Sequence, residues 1–205
     1  MPRILIAMIM AVLFTLNATQ ADADDPNHPE DGLYIGADLI VNVPEQDLSG
    51  DFAEVDPGSG FRLNLGYRFP IPLALEVEFG ASGHMVDDED AGIAFLAMNL
   101  RYFPLTFSFA GMPAEAFLRA GFGSYALVID GVRDGSGRRD DLELTGDGFD
   151  AGIGIEIYPQ PQFSVVFGVT QRFVEYDELD YLDFELIEDV KGAMTTVNAG
   201  IKYHF

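Results

Sequence analysis

From residue 32 onward, apolar and polar side chains alternate. In "GFRLNLGYRF" (60–69), Phe61, Leu63, Leu65, Tyr67 and Phe69 fall on one face, and Arg62, Asn64, Gly66 and Arg68 on the other. "LALEVEFGA" (73–81) sets Leu73, Leu75, Val77, Phe79 and Ala81 against Ala74, Glu76, Glu78 and Gly80. "TTVNAGIKYHF" (195–205) separates Val197, Ala199, Ile201, Tyr203 and Phe205 from Thr196, Asn198, Gly200, Lys202 and His204. A period of two with unlike faces marks strands lying between two different media. Eight strands are predicted, at about 32–43, 60–69, 73–83, 92–103, 115–126, 148–158, 163–176 and 193–205. Each meets or slightly exceeds the roughly 9–11 residues that a tilted strand needs to cross hydrocarbon. The fourth and fifth are less clean, because Phe95 and Phe117 fall on the polar face.

The connections alternate too. The second, fourth and sixth are marked by proline: "PIP" (70–72), "PLTFSFAGMPA" (104–114) and "PQPQ" (159–162). The first, third, fifth and seventh (44–59, 84–91, 127–147 and 177–192) are polar and mostly longer, with 22 acidic and four basic residues between them. In an eight-stranded antiparallel up-and-down order, all acidic loops leave one end and all proline turns the other, which is the asymmetry of a transmembrane β-barrel. Closure is required because an open sheet edge in lipid leaves backbone groups unpaired, at several kcal/mol each. The last strand is therefore expected to pair with the first.

Alternation alone does not say which face points inward. The polar face carries Gly36, Gly66, Gly80, Gly121, Gly123, Gly152, Gly154, Gly168 and Gly200 among its charges. Eight strands enclose a lumen just wide enough for side chains, so small residues must make room for long ones there. On a water-exposed face the same glycines would weaken the strands with no packing return. Aromatic residues near the strand ends support an apolar face turned to lipid: Tyr67, Phe69, Tyr102, Phe163, Tyr203 and Phe205 towards the turns, and Phe61, Phe149 and Phe173 towards the loops. Such girdles suit the two membrane interfaces.

Composition adds the compartment. Arg3 precedes the apolar run "ILIAMIMAVLFTL" and then "NATQADA", with Ala21 and Ala23 in an A-x-A site. Residues 1–23 are read as a signal peptide, since the run is shorter than the roughly 20 residues of a spanning helix. Residues 24–31 are read as a flexible lead-in and 32–205 as the barrel domain. Without cysteine the chain has neither a disulfide framework nor a cysteine lipid anchor. A formal net charge of -23 argues against nucleic acid as a partner.

The expected interior charge network comprises Asp38, Arg62, Arg68, Glu76, Glu78, Arg101, Arg119, Asp150, Glu156, Arg172 and Lys202. Six bases face five acids, and pairing is expected because an isolated charge in a narrow lumen is costly. Neighbouring strands suggest Glu76 and Glu78 with Arg68 and Arg101, and Glu156 with Arg119. The network is read as a plug that specifies the barrel; the other reading is a gate or narrow polar path. "DDEDAG" (87–92) resembles the start of an EF-hand loop, but Ala91 stands where an oxygen ligand belongs, so no metal site is assigned. No cofactor is expected either: the glycine pairs at 121/123 and 152/154 lack the third glycine and the helix of a dinucleotide site. "DGVRDGSGRRDD" (130–141) holds Arg133, Arg138 and Arg139, which suit contact with phosphate or a host surface, though glycine-rich mobility accounts for it equally well. Ser82 and His84 share a face at the loop end; they are read as a solvent-facing histidine beside a serine rather than as a catalytic pair, and no catalytic residue is assigned.

The run "GFDAGIGIEIYPQPQFSVVFGVTQRF" with the closing "TVNAGIKYHF" resembles the last hairpin and closing strand of small eight-stranded bacterial outer-membrane proteins, the OmpA-type transmembrane domain and its OmpX-like relatives. "MNLRYFP" (98–104) and "FLRAGFG" (117–123) resemble their middle strands. The resemblance implies the outer membrane as location, periplasmic turns, external acidic loops and a monomer. It implies that Tyr203 and Phe205 belong to a C-terminal signal read by the outer-membrane assembly machinery. The sequence departs from full-length OmpA in having no periplasmic domain after the barrel, so a peptidoglycan-binding role is not expected. The expected partners are outer-membrane lipids and lipopolysaccharide, with divalent cations at the acidic loops. The expected role is structural or surface-interactive; the alternative is a narrow channel for small or hydrophobic solutes, ahead of a lipid A-modifying enzyme.

Overall fold

The computed structural model describes residues 31–45, 55–86, 89–133, 139–181, 184–186 and 190–205. Residues 1–30, the expected signal peptide and nearly all of the lead-in, lie outside the described residues, as do parts of all four acidic loops.

The described residues form nine strands: β1 (Gly32–Pro44), β2 (Gly58–Arg68), β3 (Leu73–Val86), β4 (Glu89–Phe109), β5 (Met112–Arg133), β6 (Arg139–Gln160), β7 (Phe163–Tyr181), β8 (Phe184–Leu186) and β9 (Val190–His204). Eight of them make one closed antiparallel ring. Each of β1 to β6 pairs with the next, β7 pairs with β9, and β9 returns to β1 in a register running from Tyr34↔His204 to Pro44↔Met194. The ring therefore has no edge, as burial of backbone in lipid demands. β8 pairs only with the outer part of β7, through Leu179↔Leu186 and its neighbours.

The eight predicted strands are all present, but several run further than predicted. β4, β5 and β6 have 21, 22 and 22 residues, about twice what a tilted strand needs to cross hydrocarbon. The fourth connection is therefore not an 11-residue loop. β4 and β5 continue across it and meet at Ala110 and Gly111, with φ of 51° and 81°, the left-handed pair of a two-residue type I′ turn. Pro104, which cannot donate to a ladder, is accommodated at a register shift between Tyr102 and Leu105. The fifth connection is likewise mostly strand. Its acids were misleading as loop signals: Asp141 and Glu143 point outward, while Leu144, next along the strand, is buried.

The two media are plain in the burial pattern. Leu33, Ile35, Leu39, Leu63, Leu65, Phe122, Phe167 and Ile201 are large, apolar and exposed on the outer wall. Near the turns, Tyr67 packs against Phe69 and Tyr203 against both Phe163 and Phe205, each edge-on. Phe149 stacks on Phe173 near the loops. One step beyond that pair the outer wall turns polar: Asp147 accepts a hydrogen bond from Ser124 Oγ (2.7 Å), and Glu175 meets Lys191 (3.2 Å).

The interior reverses in step. At the loop end it is apolar, closed by Ile40, Val86, Ile93, Phe95, Tyr125, Leu127, Ile129, Leu144, Val174, Tyr176 and Met194. Burial pushes the Tyr176 phenol up to about 12, so it serves as an uncharged part of this layer. Where water surrounds the wall the core is oily; where lipid surrounds it the core is charged.

Candidate functional site: the barrel interior

All eleven residues of the expected interior network lie inside, none more than 6% exposed. Strand alternation places them there, and the narrow lumen then brings side chains together from opposite walls.

Glu78 on β3 is the centre. Its Oε2 lies 3.1 Å from Arg62 Nη1, and its Oε1 lies 2.9 Å from both Arg119 Nη2 and Arg172 Nη2. Three guanidinium groups from β2, β5 and β7 thus converge on one carboxylate. Asp38 Oδ2 accepts from Arg62 Nε (3.0 Å) and Asn64 Nδ2 (2.8 Å), and Asp38 Oδ1 accepts from Asn198 Nδ2 (3.1 Å). Asp150 is held more loosely, 3.4 Å from Arg119 Nε.

A second group lies towards the turns. Glu76 Oε2 accepts from Lys202 Nζ and from the Tyr34 hydroxyl (3.0 Å), with Arg101 Nη1 at 3.6 Å. Arg101 Nη2 also donates to Glu156 (2.8 Å), whose other oxygen accepts from Ser164 Oγ (2.6 Å) and lies 3.3 Å from His204 Nε2. At the base, Arg68 donates through both terminal nitrogens to Glu115, at 2.6 and 2.8 Å, the fork geometry that favours arginine, and Tyr158 donates to the same carboxylate (2.7 Å).

Adjacent-strand reasoning misassigned some of these pairs. Arg68 meets Glu115 rather than Glu76 or Glu78, and Arg119 meets Glu78 and Asp150 rather than Glu156. The lumen is narrower than the reach of an arginine, so partners sit across it as readily as beside it. Glu115 was missed because it falls at the border of the predicted turn. Its parity with Phe117, Arg119 and Gly121 on β5 is the signal that would have found it. With Glu115 included, six acidic side chains face six basic ones in the interior.

Phe95 and Phe117, the two irregularities in the pattern, also point inward. The Arg172 guanidinium carbon lies 3.9 Å from the centre of the Phe95 ring, and that of Arg101 lies 3.8 Å from the Phe117 ring. Such cation–π contacts satisfy guanidinium faces that hydrogen bonds leave open. The rings fit because glycine stands opposite: a β-carbon at Gly80 would overlap Phe95, and one at Gly154 would overlap Phe117. The lumenal glycines therefore make room for aromatic rings as well as for charges. Gly80→Val is expected to destabilise the barrel by about 1–3 kcal/mol, with part of the loss recovered in Gly80→Val/Phe95→Ala. Urea midpoints in lipid vesicles would measure both.

His84 is a correction to the sequence reading. It is buried at 5% exposure instead of facing solvent, and Ser82 Oγ lies 2.9 Å from its Nε2.

A closed antiparallel barrel, apolar outside and charged within, with aromatic girdles and an inverted upper segment, is a transmembrane β-barrel of the outer-membrane class. The chain belongs to the outer membrane protein beta-barrel domain family, whose pattern it matches over residues 8–205, and this places it in the bacterial outer membrane. No functionally curated protein matches it significantly. Among solved structures it is similar to Neisserial surface protein A, at 18% identity and a TM-score of 0.60, covering 85% of this chain and 97% of that one. The outer membrane protein OprG from Pseudomonas aeruginosa is similar at 13% identity and a TM-score of 0.53, covering 88% and 100%. The outer membrane protein AlkL, determined in lipid bilayers, is similar at 13% identity and a TM-score of 0.52, covering 91% and 95%. At these identities the likeness is one of fold.

Proposed function

We propose that the protein is a plugged barrel that reinforces the outer membrane and presents an acidic surface outside, rather than an open pore. The carrying observation is the filled lumen: a neutral set of twelve interlocked charges lies below an apolar layer. An ion entering from the loop end meets apolar side chains first and paired charges next, so neither layer offers it a free counter-charge.

On the outer wall, exposed Asp147 and Glu175 stand just above Phe149 and Phe173, at headgroup height. That position suits divalent cations bridging carboxylates to lipopolysaccharide phosphates. Residues 1–23 serve as the export signal in this reading, and Tyr203 and Phe205, outward beside the β1–β9 seam, as the assembly signal. No hydrolytic role is assigned, since Ser82 and His84 are both buried in the barrel wall, at 6% and 5% exposure.

Planar-bilayer recording of the purified protein tests the plug. The wild type is expected to show no steady ion-conducting openings, and Glu78→Ala is expected to create them. Regular openings of the wild type would instead support the narrow-channel alternative.

A further inference from the structure

Five hydrogen bonds run in one line from the charged centre to the loop-end mouth. Arg172 Nη1 donates to Thr196 Oγ1 (2.9 Å), Thr196 Oγ1 to Asn42 Oδ1 (2.6 Å), and Asn42 Nδ2 to Ser82 Oγ (2.7 Å). Ser82 Oγ lies 2.9 Å from His84 Nε2, and His84 Nδ1 lies 2.8 Å from the backbone oxygen of Asp56. A carbonyl only accepts, so Nδ1 carries the ring proton. Nε2 of the neutral ring is then an acceptor and takes the Ser82 hydroxyl proton. Every link therefore donates in the same direction, from Arg172 towards Asp56.

Direction matters because the guanidinium at the far end of the line donates only and cannot accept. A protonated His84 is a donor at both nitrogens and would face Ser82 with a hydrogen. Ser82 already accepts from Asn42, so its own proton would lose its acceptor. Turning the Asn42 amide would pass the conflict to Thr196, which faces the Arg172 guanidinium, a group with no acceptor at all. Moving the ring relieves the mismatch.

We propose that this line is an acid-sensitive latch on the segment Val55–Pro57 that leads into β2. Neutral His84 holds the segment to the barrel through the Asp56 carbonyl, and protonated His84 lets it go. The segment's other ties are the Asp56 N to Met85 O hydrogen bond (2.9 Å), the Val55–Val86 bridge and the packing of Val55 on the loop-end apolar layer. A destination for the charged ring away from that segment exists, because Asp90 on β4 lines the recess beside His84. The groups around the ring are Ser82 on its own strand, Asn42 on β1, Thr196 on β9, Asp56 before β2 and Asp90 on β4, with Arg172 and Glu78 as the fixed charges at the far end.

Nitrogen-15 spectra of the His84 ring, with hydrogen exchange of the Asp56 amide, test this in lipid nanodiscs between about pH 7.5 and about pH 5. The expected result is an Nδ1–H ring at neutral pH. When the ring titrates, Asp56 exchange, corrected for intrinsic rate, is expected to rise about tenfold or more while the Leu63 and Leu65 amides stay protected. His84→Gln can donate to Asp56 and accept from Ser82 but does not titrate, so its Asp56 protection is expected to be independent of pH. The proposal is overturned by an Nε2–H ring, by a ring neutral throughout the range, by Asp56 protection unchanged as His84 titrates, or by equal losses at Leu63 and Leu65. The wild-type measurement decides on its own should the variant fail to assemble.

Discussion

Glu78→Ala is expected to lower the unfolding free energy of the barrel by about 3–5 kcal/mol, the range for removing one partner of a buried ion pair. The upper end is favoured because the deletion removes a carboxylate shared by three cations, those of Arg62, Arg119 and Arg172, each within 3.1 Å of it, and among the described residues Arg172 has no other acid partner. Asp38 stays with Arg62 and Asp150 with Arg119, but Asp38 also serves Asn64 and Asn198, and Asp150 holds Arg119 only loosely, at 3.4 Å. Most of the loss comes from the uncompensated arginines, so Glu78→Ala/Arg172→Met should recover part of it. Reversible urea unfolding in lipid vesicles measures the series. Lys191→Ala sets the scale: its pair with Glu175 leaves the two side chains 68% and 55% exposed, where an ion pair is worth about 0–1 kcal/mol. A loss at Glu78 no larger than that at Lys191 would mean that water, not Glu78, neutralises the arginines in the folded barrel.

Much of this site was legible in the sequence because a strand offers each side chain only two directions. Once Leu63 and Leu65 were assigned to lipid, Arg62, Asn64 and Arg68 had to lie inside, and they do. The limits of the strands were harder to read, since polarity says where water is and not where pairing stops. Asp141 and Glu143 looked like loop residues, yet they are the wet face of a strand that has risen past the membrane with Leu144 turned inward. The same rise hid the apolar layer: Ile93, Leu127 and Val174 sit on faces that are charged lower down. Partner choice was not legible, because it depends on the stagger of strands around the ring and on reach across the lumen. The line from Arg172 to His84 shows this, drawing on β7, β9, β1 and β3, which no local spacing connects.

Leu65→Arg is expected to destabilise the barrel by about 2–4 kcal/mol in lipid, the cost of a cation on the lipid face near the bilayer midplane. Leu65 lies midway along β2 between Phe61 at the loop end and Tyr67 at the turn end, points outward at 56% exposure, and pairs with Ile35 and Val77 on the neighbouring strands. In water so exposed a leucine would tolerate arginine with a change within about 0.5 kcal/mol, so the size of the effect reports the surrounding medium. Glu143→Arg, outward on β6 above the Phe149 level, is the matched control, expected near 0–1 kcal/mol because the wall there has already turned polar. The contrast between the two positions is needed, since a general intolerance of added charge would affect both. If Leu65→Arg and Glu143→Arg shifted the urea midpoint equally, the outer apolar face would not be the lipid contact and the reversal of the interior along the barrel would lose its cause. A large difference would place the upper membrane boundary between Leu65 and Glu143, where the outer wall turns from apolar to acidic as the lumen turns from charged to apolar.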